Sequence, residues 1–120
     1  MSIFTDWEMA KPHVAAALEH SKGTHTIDDV ALMVGGGMLR IVLGKDCAML
    51  TEIQNYPRMK VLNVFVAGGD MNGLLELEHG LIGMAKEQGC SRVTETGRKG
   101  WGRVLPGAKE LGTALYRDIS

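Results

Sequence analysis

From Met38 the pattern changes from a helical period to three short apolar-rich stretches that read with a period of two, Leu39–Leu43, Cys47–Tyr56 and Met59–Ala67. A period of two is the signature of strands, whose successive side chains point to opposite faces. Gly44-Lys45-Asp46 and Pro57-Arg58 supply the turns between them, so the three stretches predict an antiparallel meander. In the second stretch Ala48, Leu50, Glu52 and Gln54 share one face, while Cys47, Met49, Thr51 and Ile53 share the other. Both faces mix apolar and polar residues, which suits a sheet covered on two sides.

The flanking segments change to a helical period. Thr5-Asp6-Trp7-Glu8 has the spacing of a capping box. Pro12 then reads as the first position of a helix that runs to about His20 and stops near Gly23. Thr26-Ile27-Asp28-Asp29 is a second N-terminal signal, for a helix over Val30–Val34 that Gly35-Gly36-Gly37 ends. After the meander, Gly69 or Asp70 opens a helix in which Leu74, Leu77, Leu81, Met84 and Ala85 recur at spacings of three and four, and Gly89 stops it. Ser91–Thr96 reads as a strand, Lys99–Leu105 as a short helix ended by Pro106-Gly107, and Glu110–Ile119 as a last strand. A crossover helix returns the chain to the edge it left, which places the strand at Val93 parallel to the one at Val64. The expected fold is a single α/β (α+β) domain over residues 1–120, a mixed central sheet flanked by helices.

Composition narrows the function classes. Hydrophobic residues make up 45% of the chain and charged residues 22%, enough apolar surface for one core. Lys+Arg number 13 against Asp+Glu 14, a net charge of -1, so neither disorder nor a nucleic-acid partner is expected. No apolar run approaches the length of a membrane helix and the N-terminus lacks a basic, apolar leader, so a soluble, intracellular protein without a membrane partner is expected. Cys47 and Cys90 read as free buried thiols, with a single disulfide between them as the alternative. The eight methionines read as adaptable core filler.

Four groups of residues carry candidate chemistry. Gly68-Gly69 ends a strand and opens a helix, the arrangement that presents unpaired backbone amides to a phosphate; its ordinary alternative is a turn in which Asp70 caps the helix. Glu52 and Glu95, each on an expected strand, are candidate general bases. His13, His20 and His25 are close in sequence, but no cysteine joins them, and no metal site is expected. Arg98, Lys99, Trp101 and Arg103 form the most basic stretch, with an aromatic residue among them, and read as a partner contact.

The order helix, helix, three antiparallel strands, helix, parallel strand, short helix, last strand resembles the fold of the GCN5-related N-acetyltransferases (GNAT). The stretches Gly23-Thr24-His25-Thr26-Ile27-Asp28-Asp29-Val30, Ala67-Gly68-Gly69-Asp70 and Gly97-Arg98-Lys99-Gly100-Trp101 are similar to small acetyltransferase-like proteins of tailed bacteriophages. The resemblance implies a coenzyme A site at Ala67, Gly68, Gly69, Asn72 and Gly73, where active members carry Arg/Gln-x-x-Gly-x-Gly/Ala. Here no frame across Val66–Gly73 fits that signature, and Asp70 puts a negative charge beside the amides. The tyrosine that active members carry on the late helix is missing from Lys99–Leu105, and Tyr116 falls on the expected last strand. The expectation is therefore an acetyltransferase-like protein with a degenerate coenzyme site and no bound cofactor. It would be a structural or virion-associated protein, internal or near the portal, present in several copies against phage structural proteins, in the virion or the host cytoplasm. The alternative is an acetyl-CoA-dependent N-acyltransferase.

Overall fold

The first helix, α1 (Ile3–Leu18), runs through Pro12 and does not begin at it. Ala10, Val14 and Leu18 recur every four residues and are all buried, so one packed stripe holds the helix on both sides of the proline. Pro12 itself is exposed, and so is Glu8, whose carbonyl loses its helical donor there. Both residues lie on the solvent side of the helix, where the cost of an interior proline is least. This computed structural model describes residues 3–19, 21, 23–95, 107, 109 and 117–119.

Helix α2 (Ile27–Gly35) starts at Thr26, as the sequence predicts. The Asp29 amide donates to Thr26 Oγ1 at 3.1 Å and the Thr26 amide donates to Asp29 Oδ2 at 2.9 Å, a reciprocal capping box. Those bonds to Thr26, backbone first, hold the Asp29 carboxyl below its ordinary pKa. Strands β1 (Arg40–Gly44), β2 (Cys47–Asn55) and β3 (Lys60–Gly69) then form the antiparallel meander. Helix α3 (Met71–Glu87) crosses over, and β4 (Arg92–Glu95) returns parallel to β3, with Leu62 opposite Val93 and Val64 opposite Glu95. Among the described residues the result is an α+β domain on a mixed four-stranded sheet in the order β1-β2-β3-β4. The expected short helix over Lys99–Leu105 lies outside the described residues, as does most of the expected last strand; Arg117–Ile119 are not in strand.

Two apolar layers cover the sheet. On one face Ala10, Val14 and Leu18 of α1 and Val30 and Val34 of α2 pack on Ala48 and Leu50. On the other, Leu74, Leu81 and Ala85 of α3 pack on Cys47, Met49, Leu62 and Val64. Cys47 and Cys90 are both buried and both free, which removes the disulfide alternative. Burial first, then the carboxylates of Asp70, Asp46 and Glu76, pushes the Cys47 thiol pKa up, so this thiol behaves as a small apolar group.

The register between β2 and β3 slips once. Leu50 faces Val66 and Thr51 faces Val64, so Phe65 has no partner opposite it. Phe65 and Val66 both pack toward the α1–α2 layer, whereas Val64 and Ala67 pack toward α3. This is a β-bulge, which bends the strand and re-aims the side chains beside it.

Candidate functional site

Beyond the bulge, the sheet face under α1 and α2 changes from apolar to polar. Glu52 on β2 faces Asn63 on β3, and Asn63 faces Thr94 on β4, so three polar side chains stand in register across three strands. They form one hydrogen-bonded ladder. The Thr94 hydroxyl donates to Asn63 Oδ1 at 2.8 Å, and Asn63 Nδ2 donates to Glu52 Oε1 at 3.1 Å. From the other side the Tyr56 hydroxyl donates to Gln54 Oε1 at 2.9 Å, and Gln54 Nε2 donates to Glu52 Oε1 at 2.9 Å. Two amide donors thus fix one oxygen of a half-buried carboxylate, which orients Glu52 and leaves its second oxygen in a set direction.

The loop between α1 and α2 reaches the same face. The His25 ring stands edge-on to Phe65 at the bulge, with centroids 5.0 Å apart and planes at 79°. His25 Nδ1 lies 2.8 Å from the Thr24 hydroxyl. A groove of about 300 Å³ opens at the far end of the ladder, lined by Tyr56, Arg58, Met59, Val61, Arg92 and Thr94. Of the hydrogen-bonded ladder the sequence singled out only Glu52, and His25 was weighed only as a metal ligand. Asn63, Gln54 and Thr94 are ordinary strand polars until the register brings them together.

Glu95 is on the opposite face, because its register partner Val64 packs against α3. It shares a second groove with Glu78, Leu81 and Ala85. Oε1 of Glu95 and Oε1 of Glu78 are both buried, and among the described residues no N–H or alcohol group donates to either. Burial, then a hydrogen bond to Glu78 and its charge, pushes the Glu95 pKa up to about 9. The two candidate bases are therefore separated by the sheet and cannot act on one substrate.

The glycine turn is filled by the protein's own backbone. Met71 begins α3 only two residues after β3 ends at Gly69, so Asp70 alone makes the connection. The Asp70 amide donates to the Asp46 carbonyl at 2.8 Å, and the Gly73 amide donates to Asp70 Oδ2 at 3.0 Å. A methyl group on Gly68 would strike the His13 carbonyl of α1. On Gly69, whose φ is +111°, it would strike the Asp46 carbonyl and Cys47. On Gly73 it would strike the Lys45 carbonyl and lie 2.8 Å from Cys47 Sγ. Ala67 packs into the α3 layer, and Asn72 is exposed at the first turn of α3. Gly68, Gly69 and Gly73 thus serve close packing of β3 and α3 on α1 and on the β1–β2 turn.

Among the described residues no group of three or more His, Cys, Asp or Glu side chains converges as a metal site. None of the described helices is long and apolar enough to cross a membrane. Arg98, Lys99, Trp101 and Arg103 lie outside the described residues.

No family model matches this chain, and no curated protein matches it. Among solved structures, the wild-type protein TTHA1254 from Thermus thermophilus superposes with a TM-score of 0.60 at 13% identity, over 100% of this chain and 93% of that one. A point mutant of the same protein superposes with a TM-score of 0.63 at 12% identity, over 100% of this chain and 95% of that one. At this identity the likeness is one of fold.

Proposed function

We propose that this chain is an acetyltransferase-like domain of tailed-phage origin, of the GNAT type, whose coenzyme site is closed and which acts in the virion through contacts with phage structural proteins. One observation carries the first half of this reading. Asp70 is the whole connection between β3 and α3, and its carboxylate takes the Gly73 amide at the place where a pyrophosphate would need donors. A second anion there meets a carboxylate already seated on the helix N-terminus. The partner contact is assigned to Arg98, Lys99, Trp101 and Arg103 on their chemistry, since arginine and tryptophan are favoured where few side chains must hold an interface.

Two measurements test the reading. Millimolar acetyl-CoA should leave the thermal midpoint of the purified protein unchanged, because only a ligand that binds the folded state raises it. Mass spectrometry of purified particles should find the chain at fixed stoichiometry, and charge reversal at Arg98 and Arg103 should lower its incorporation. A clear rise in midpoint, or a chain abundant in infected cells and missing from particles, overturns it.

A specific observation favours a second reading, an acetyl-CoA-dependent N-acyltransferase. Glu52 is held by Asn63 and Gln54 with one oxygen left to accept a proton from an amine. Under that reading Glu52→Gln abolishes acetyl transfer to an amine while the protein stays folded, and Glu95→Gln, on the other face, does not.

A further inference from the structure

We infer that the groove between the β2–β3 turn and β4 binds an acidic, partly apolar segment of a partner protein. Its floor is apolar: Val61 is 2% exposed and Met59 is half-buried beside it. One wall is the Tyr56 ring, held in place by the bond from its hydroxyl to Gln54. The other is Thr94, held by its bond to Asn63. Both walls are thus set by the ladder before anything binds, which lowers the cost of ordering on association.

Charge identifies the occupant. Arg58 from the turn and Arg92 from β4 both line the groove, both are exposed, and among the described residues no carboxylate lines it with them. Neither arginine makes an ion pair with a described residue. The nearest acid on the ladder, Glu52, already accepts two hydrogen bonds at Oε1. Two guanidinium groups over an apolar floor match carboxylates flanking an aliphatic or aromatic side chain, since arginine pairs with carboxylates through two parallel donors. Nucleic acid fits less well. Its affinity rests on many phosphate contacts, and this chain supplies two arginines here on a net charge of -1.

This inference names a partner chemistry for the protein-contact reading and rests on it. The test uses the full chain and a short fluorescein-labelled peptide of alternating Glu and Leu, followed by fluorescence anisotropy. Saturable binding is expected, weakened about tenfold or more by the double variant Arg58→Glu, Arg92→Glu, and weakened by salt. Both arginines are exposed, so that variant should keep the wild-type circular dichroism spectrum; if it does not, Arg58→Gln with Arg92→Gln reads the same loss. Three results overturn the inference: no binding of the peptide, binding that survives loss of both arginines, or tighter binding of an oligothymidylate of equal charge. So does self-association of the protein that these variants abolish, because it would make a second copy the occupant. Absence of the chain from particles would sink the virion reading and leave this peptide binding standing, so the two failures are distinguishable.

Discussion

Replacing Glu95 by glutamine isolates the energetic consequence of placing two carboxyl groups between α3 and β4. In the folded protein Glu95 titrates at about 9 against an ordinary value of 4.5, because it is half-buried and faces Glu78. A carboxyl whose pKa is raised by folding holds its proton more tightly in the folded state. Its contribution to stability is therefore complete below about pH 4.5 and declines as the pH rises toward about 9. At roughly 1.4 kcal/mol per unit, the unscreened ceiling is about 6 kcal/mol. Water reaches nearly half of the group, and screening brings the expected loss down to about 2 kcal/mol. Glutamine keeps the shape, carries no charge and offers an N–H to Glu78. Glu95→Gln should therefore be more stable than the wild type at pH 8 by about 1–2 kcal/mol, or roughly 4–8 °C in midpoint for a domain of this size. The advantage should shrink toward zero near pH 4.5. Urea denaturation and thermal melts of both proteins across this range provide the assay. A wild-type stability that stays flat from pH 5 to pH 9, or a glutamine variant with the same slope as the wild type, would refute the reasoning.

The other expectations concern the turn and the helix beside it. Gly69→Ala forces a Cβ into the Asp46 carbonyl at a φ of +111°, and urea unfolding should show a loss of about 2–3 kcal/mol. Asp70→Ala removes the carboxylate that accepts the Gly73 amide at 3.0 Å and should cost about 1 kcal/mol by the same assay. Gly80 and Gly83 sit inside α3 with open space where a side chain would stand. Alanine at each should raise stability by about 0.5–1 kcal/mol, seen as a higher melting midpoint.

What the sequence determined by itself is local. Alternation over Cys47–Asn55 assigns Cys47, Met49 and Ile53 to one face and Ala48 and Leu50 to the other, and the two core layers follow that division. Thr26 and Asp29 announce the start of α2, because a capping box is made within four residues. The spacing of Leu74, Leu81 and Ala85 fixes the packed face of α3, and the length of that helix made β4 return parallel to β3. Pro12 misplaces the start of α1 because proline is a strong local signal, and only the buried stripe of Ala10, Val14 and Leu18 outweighs it.

Tertiary structure decided the rest, because register and close approach join residues far apart in the chain. Val66 and Phe65 read as consecutive members of an alternating strand, yet the slip opposite Leu50 turns both to one face. Glu52 and Glu95 were equivalent candidates until pairing set one beside Asn63 and the other beside Val64, on opposite sides of the sheet. Gly68, Gly69 and Gly73 have the same freedom whether they face a phosphate or a carbonyl. The neighbours that occupy that space, His13, Asp46 and Lys45, come from α1 and the β1–β2 turn, and no spacing within Ala67–Gly73 encodes them.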